Sequence, residues 1–395
     1  MTTLANRLRA ALDQLRLAGT YKQLKFLAAP MAPITTIEGI GEVLVFCANN
    51  YLGLADDPEV VEAGIEGLRR YGAGTASVRF ICGTFDCHRE LEQRIAAFLG
   101  TEAALTYVSC WNANEGLLAN LVQEGDVILS DELNHASIID AARLARLATR
   151  KVFKHADTAA LEVALQESAA AAVKIVITDG VFSMEGDLAP LPEMVAICRR
   201  HGATLVVDDS HAVGVLGAGG RGTHEHFGLP GHAPDGIDIF TGTLGKALGG
   251  AAGGYVAGPR EVIEMLVQRS RPQLFSNALP PTVAVSAAKA LEILQREPQR
   301  VTRLRENVVR MRDGLRRLGY DVLESPSAIL PIIVGDTARA IRMSEQLLKL
   351  GVFVIGFGYP VVPEGKARLR VQMSAAHTAE HIDRALAAFE RLAHA

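Results

Sequence analysis

A layered α/β domain on a mostly parallel seven-stranded sheet, followed by a smaller C-terminal α+β unit, is the fold class this 395-residue chain predicts. Three observations lead there. Short apolar, β-branched runs alternate with amphipathic helical patterns through the middle of the chain. The chemically interesting polar residues fall at the carboxyl ends of those runs, where open α/β sheets bind ligands. After Pro280 and Pro281 the texture changes to a long charged helical stretch and a few further strands.

The strand candidates in order are 43–47, 104–108, 127–129, 174–178, 204–207, 237–240 and 254–257, with helical patterns between most of them, such as 137–147 and 191–200. Beyond the proline pair, helical 284–318 leads into strands 329–334, 352–355 and 369–373, then a final helix from Ala379. We divide the chain into an N-terminal arm (1–44), a large domain (45–283) and a small domain (284–395). In the arm, Leu4, Leu8, Leu12 and Leu15 recur at helical spacing and predict an amphipathic packing helix.

Composition narrows the function. With 49% hydrophobic and 21% charged residues the chain is ordinary globular material, and its net charge of −4 argues against nucleic acid. It has no apolar run long enough for a membrane and no secretory core near its start. Asp13 and the lack of early serines argue against a mitochondrial presequence. The five scattered cysteines (47, 82, 87, 110 and 198) suit reduced thiols in the cytoplasm, and Cys82, Cys87 and His88 lack the second ligand pair a zinc site needs, so no metal is expected.

The richest segment is 241–249, TGTLGKALG, directly after an apolar run. Glycines allow close backbone approach and Thr241 and Thr243 offer hydroxyls suited to a phosphate, with Lys246 beside them. An amine held next to a phosphate cradle suits the aldehyde of pyridoxal phosphate; the same pattern also suits a surface turn. It is no Walker loop, since Ala247 stands where Ser or Thr would hold magnesium.

The remaining needs of that chemistry have candidates too. Asp208 ends an apolar strand, placed either to keep a pyridine nitrogen protonated or to cap a turn. His135 precedes a helix that Ser137 is placed to cap, and either stacks on a ring or decorates a loop. His211 and Ser183 stand at neighbouring strand ends, within reach of a ring oxygen. Arg368 and Arg370 share one strand face, and a guanidinium fork suits a carboxylate, unless the face is merely exposed and basic. Asn49 and Asn50 add hydrogen-bonding capacity. Residues 217–222, GAGGRG, match a dinucleotide fingerprint literally, but the following THEHFGLP is poor helix material.

Taken together, segments 46–54, 76–84, 131–135, 179–183, 207–212, 241–250, 269–272, 274–277 and 372–378 resemble the α-oxoamine synthases, a family of fold-type I pyridoxal phosphate enzymes. The resemblance covers nearly the whole chain. It implies pyridoxal 5'-phosphate as cofactor, with Lys246 bonded to it, Asp208 on its ring nitrogen and His135 stacked on its ring. Ser183 and His211 would contact the ring oxygen, with Ser210 in the same shell. Thr243 and the amides of Cys110 and Trp111 would hold the phosphate. Ser276 and Asn277 would reach a second subunit's phosphate, which implies a homodimer with shared active sites. Asn49, His135 and Arg370 would bind the amino acid. Trp111 and Asn112 depart from the family's Phe-Asp. The runs at 47–53 and 77–83 match the branch that condenses glycine with acetyl-CoA into 2-amino-3-oxobutyrate and CoA. A sister activity such as that of 8-amino-7-oxononanoate synthase is the alternative, and a threonine dehydrogenase is the implied partner.

Overall fold

The computed structural model describes residues 2–359 and 361–393. Its strands are β1 (Ile34–Ile37), β2 (Gly41–Val45), β3 (Ala103–Tyr107), β4 (Val127–Asp131), β5 (Thr149–Phe153), β6 (Lys174–Asp179), β7 (Thr204–Asp208), β8 (Ile239–Thr243), β9 (Gly254–Gly258), β10 (Ile329–Gly335), β11 (Val352–Phe353), β12 (Ile355–Phe357) and β13 (Ala367–Gln372). Seven of them form the central sheet in the order β3-β9-β8-β7-β6-β4-β5. All neighbours are parallel except β9, which runs antiparallel to β3 and β8.

Both faces of this sheet are covered, which is why its strands read as continuous apolar runs rather than alternating ones. Along β7, Leu205 and Val207 enter the larger core cluster while Val206 enters the second one on the opposite face. Because β4, β6, β7 and β8 are parallel, their carboxyl ends lie along one edge, and these ends carry Asp131, Asp179, Asp208 and Thr243.

Four details depart from the sequence reading. Residues 43–45 belong to β2, which pairs with β1 and, in parallel, with β11 in a separate sheet. The seventh strand of the central sheet is β5, whose TRKVF sequence is mostly solvent-facing at the sheet edge and so lacks an apolar signature. The charged stretch at 284–318 is two helices, Pro281–Arg296 and Gln299–Arg317, separated at Pro298, whose ring cannot continue the first helix. The expected helix at the N-terminus forms over Thr3–Leu17, capped by Thr2, yet none of its residues is buried by the described residues.

Elsewhere the C-terminal strands build a second small sheet, β10-β13-β12. Its central member β13 brings Arg368 and Arg370 against the turn that follows β6, and Gln372 against Asn49 and Tyr51.

Candidate active site

Lys246 sits in the turn after β8. That turn is closed by Leu244 N–H donating to Gly253 O at 2.9 Å and by Thr243 Oγ1 donating to the same carbonyl at 3.2 Å. Leu244, Ala247 and Leu248 are buried around it, so the lysine stem is anchored by its neighbours. Its Nζ makes no hydrogen bond or ion pair with any described residue. Burial holds its pKa below the ordinary lysine value, and the negative charge of Asp208 only partly offsets this.

Asp208 is buried at the end of β7, directly across from Asp179 at the end of β6. The two carboxylates are treated oppositely. At Asp208 burial pushes the pKa up, but bonds from Ser210 and Asn114 and the charge of Lys246 bring it below the ordinary value. Asn114 Nδ2 donates to its Oδ2 at 2.8 Å and Ser210 N–H to its Oδ1 at 3.0 Å. Asp179 is pushed well up, by burial first and by the charge of Asp208 second, so of the two it takes a proton more readily. Its Oδ2 accepts the backbone N–H of His135 at 2.7 Å, fixing the loop that carries that histidine.

His135 itself caps helix Ala136–Leu144, in place of the expected Ser137: its Nδ1 accepts from Ser137 N–H at 3.2 Å and from Ser137 Oγ at 2.8 Å. With Nδ1 occupied as an acceptor, the neutral ring carries its proton on Nε2. Burial lowers its pKa. The edge of Trp111 meets this ring, centroids 6.1 Å apart.

Trp111 and Cys110 form the first turn of helix Cys110–Leu121, capped by Ser109 Oγ, which accepts from Asn112 N–H at 3.2 Å. First-turn amides have no partner inside a helix and favour anions. Gly254 packs so close that a Cβ there would stand 2.3 Å from Cys110 N, so only glycine lets β9 pass this helix start. Cys110 Sγ meets Asp208 Oδ2 at 3.5 Å and accepts from Ser210 Oγ at 3.3 Å.

The third group comes from far along the chain. Arg370 donates through Nη1 to Ser183 O at 2.9 Å and through Nη2 to Gln372 Oε1 at 3.0 Å, lies over the Phe357 ring and has no carboxylate partner among the described residues. Gln372 Nε2 donates to Asn49 Oδ1 and, at 3.0 Å, to Tyr51 Oη. The Tyr51 hydroxyl bonds His211 Nδ1 at 2.7 Å, which leaves Nε2 of His211 free to meet a ligand. Burial, and then the charge of Lys246, hold His211 well below the ordinary histidine value. Arg368, on the same strand face, is only 4% exposed and pairs with Glu185 at 3.1 Å, which rules out a merely solvent-facing basic strand.

The structure therefore brings Asn49, Cys110, Trp111, His135, Ser183, Asp208, Ser210, His211, Thr243, Lys246 and Arg370 to one edge. It does not bring Ser276 and Asn277 there: they follow the short helix Arg271–Phe275, where Asn277 bridges Val78, and neither bonds any residue of the cluster. The 217–222 loop holds no anion site either. Gly219 N–H and Arg221 N–H already donate to Glu225, at 3.0 and 2.9 Å. Asn114, Asp179, Tyr51 and Gln372 were not singled out from sequence. Two of them carried a signal, Asn114 four residues after Cys110 on one helix and Gln372 two after Arg370 on one strand face.

Three of the five buried side-chain atoms left without a partner among the described residues lie here: Asn114 Oδ1, Thr241 Oγ1 and Arg370 Nε. Such atoms are rare in a finished interior and mark a site completed by a ligand.

Residues 41–389 match the model of the family described as aminotransferase class I and II. The chain belongs to this family. Among its aminotransferase-family relatives, human mitochondrial 2-amino-3-ketobutyrate coenzyme A ligase is 47% identical over 97% of this chain and 90% of its own. The Escherichia coli K12 protein of the same name is 46% identical over 96% of this chain and 95% of its own. An 8-amino-7-oxononanoate synthase from Symbiobacterium thermophilum is 47% identical over 96% of both chains. Among solved structures, a serine palmitoyltransferase with PLP superposes with a TM-score of 0.93 at 32% identity, covering 99% of this chain and 98% of the other. The fold is thus that of the fold-type I pyridoxal phosphate transferases, as expected.

Proposed function

We propose that the chain condenses glycine with acetyl-CoA to give 2-amino-3-oxobutyrate and CoA, and catalyses the reverse cleavage during threonine breakdown. The observation that carries this reading is three groups gathered at one edge: Lys246 without a hydrogen bond, Asp208 with its pKa held below the ordinary carboxylate value, and a half-buried Arg370 without a carboxylate. The residues fit pyridoxal phosphate, the cofactor of this fold class.

Asp208 would hold the ring nitrogen, His135 the ring face, and Ser183 and His211 Nε2 the ring oxygen. Ser210 steadies Asp208 from its backbone amide. Thr243 and the amides of Cys110 and Trp111 would take the phosphate. When bound, the cofactor supplies an electron sink that stabilises a carbanion at the amino acid's α-carbon. Lys246 Nζ, whose lowered pKa favours the free amine, is the group that would hold the cofactor and move the α-proton. Arg370 and Asn49 orient the substrate carboxylate, and the planar guanidinium makes a strong charge-assisted pair with it. The α-carbon would then attack the acetyl carbonyl, with the C–S bond breaking and CoA leaving as the thiolate.

Two further parts of this reading concern assembly and place. A homodimer with shared sites accounts for Ser276 and Asn277 standing apart, and for the leucines of helix Thr3–Leu17, 41% to 55% exposed at positions 4, 8, 12 and 15. Five free cysteines support a cytoplasmic setting, and no helix among the described residues is long and apolar enough to cross a membrane. A threonine dehydrogenase is the partner that would supply the unstable oxo acid.

The relative named 8-amino-7-oxononanoate synthase, as similar as the ligases, favours a second reading with a different amino acid and a longer acyl-CoA. Free CoA release from acetyl-CoA, assayed with glycine, alanine and serine and again with a long acyl-CoA, decides between them. Release with glycine and acetyl-CoA alone is expected. Preference for alanine with the long thioester would move the chain to the sister activity.

A further inference from the structure

Gln372 lies at the centre of the carboxylate end of the site, 1% exposed, and each of its side-chain polar atoms is engaged. Its Oε1 accepts from Arg370 Nη2 at 3.0 Å, while Nε2 donates both to Asn49 Oδ1 and to Tyr51 Oη at 3.0 Å. We propose that Gln372 is a positioning residue for amino-acid recognition: it orients the Arg370 fork and the Asn49 amide together and links both, through Tyr51, to His211. This rests on the reading that Arg370 receives the substrate carboxylate.

The geometry supports it at three points. First, with Nη1 on Ser183 O and Nη2 on Gln372 Oε1, the guanidinium plane is pinned from two sides. The nitrogen left buried and unpartnered is Nε, so one edge of the fork stays available. Second, by donating to Asn49 Oδ1, Gln372 fixes which way that amide faces, and its Nδ2 donors turn toward the remaining space. Third, Tyr51 Oη accepts from Gln372 at 3.0 Å and is bonded to His211 Nδ1 at 2.7 Å, so one hydrogen-bond chain fixes the orientation of that ring. An unpinned guanidinium would pay rotamer entropy on binding; a pinned one has paid it on folding.

The chemistry of the glutamine is specific. It must accept on one end and donate on the other. Gln372→Glu keeps the shape, removes both donors and sets a carboxylate against Arg370, filling the role reserved for substrate. Gln372→Met keeps the volume and removes all three bonds without adding charge.

The experiment uses the cofactor-loaded enzyme and its Q372E, Q372M and R370A variants. Glycine affinity is read by titration calorimetry, KM is measured separately for glycine and acetyl-CoA, and thermal unfolding checks the fold. Q372E is expected to raise the glycine Kd and KM at least about tenfold, with the acetyl-CoA KM within about twofold, since hydrogen bonds to charged groups are worth about that factor or more. Q372M should show the same split with a smaller rise. If both Gln372 variants keep glycine affinity within about twofold while R370A loses it, the proposal is overturned and Arg370 stands. If R370A also leaves glycine affinity unchanged, the carboxylate reading fails and the proposal fails with it. A parallel rise in both KM values, with lowered thermal stability, would show a structural residue only and overturn the positioning role.

Discussion

The chain has two glycine-rich loops near the ends of β7 and β8, and they treat their polar groups in opposite ways. In 217–222 the amides of Gly219 and Arg221 are consumed by Glu225, and Asp209 takes Thr223 N–H at 2.9 Å and Thr223 Oγ1 at 2.6 Å. Gly217 has φ +83, and a Cβ there would meet Glu225 Oε2 at 2.1 Å, so the loop wraps its own carboxylate tightly. In 241–250, by contrast, Lys246 finds no partner and Thr241 Oγ1 is left orphaned. A glycine loop that satisfies itself is structure, and one that leaves an amine open is a candidate site. The two arginines of β13 repeat the lesson within three residues: Arg368 has Glu185, while Arg370 has no carboxylate.

The sharpest test of this contrast is Lys246→Ala. Removal of the open amine should lower turnover by roughly a thousandfold or more, the scale of a lost proton-transfer group, with unfolding midpoint unchanged or raised. Turnover near the parent's would break the comparison at its functional end.

Next come the arginines. Arg370→Ala should raise the glycine KM about 10- to 100-fold with little loss of stability, because a charge-assisted contact to ligand is removed. Arg368→Ala should do the reverse and cost roughly 3 kcal/mol in urea unfolding, since Glu185 loses its partner in a mostly buried pair. Equal effects on KM from both would erase the distinction between them.

At the self-satisfied loop, Glu225→Ala leaves the amides of Gly219 and Arg221 without an acceptor. A loss of about 1–3 kcal/mol is expected, with kinetics of the folded enzyme unaltered. Changed KM values would assign that loop to the site after all.

The smallest effect concerns pH. Burial raises Asp209 to about 7, although the bonds from Thr223 work against this. The folded state therefore holds that proton more tightly than the unfolded chain, whose Asp titrates near about 4. Its stabilising contribution is complete below that value and is lost as pH rises through 7. Stability of the parent relative to Asp209→Asn should thus fall between about pH 4 and 8; a flat difference would show Asp209 titrating normally.

Much of this was legible in one dimension because local patterns encode it. Apolar runs with helical spacers between them predict the parallel sheet, and polar residues at strand ends predict where Lys246, Asp208 and Ser183 gather. Periodicity also placed Arg368 and Arg370 on one face, but it cannot say which of them meets a carboxylate. The edge strand β5 escaped because solvent, not neighbours, meets its side chains, so burial left no apolar trace. Segment 43–45 was assigned to the wrong sheet because strand character is local while pairing is not; its partner β11 lies some three hundred residues on.

Sequence by itself determined the fold class and the family resemblance, and it singled out Lys246 and Asp208 as candidates, since each rests on residue type and short-range spacing. Only the tertiary structure decided which polar groups are already spent. Glu225 closes the false nucleotide loop, Glu185 neutralises one arginine, Ser137 occupies one nitrogen of His135, and Gln372 joins Arg370 to Asn49 and Tyr51. Whether a group is open or satisfied depends on partners brought from distant positions, and desolvation makes that difference large enough to separate a catalytic residue from a structural one.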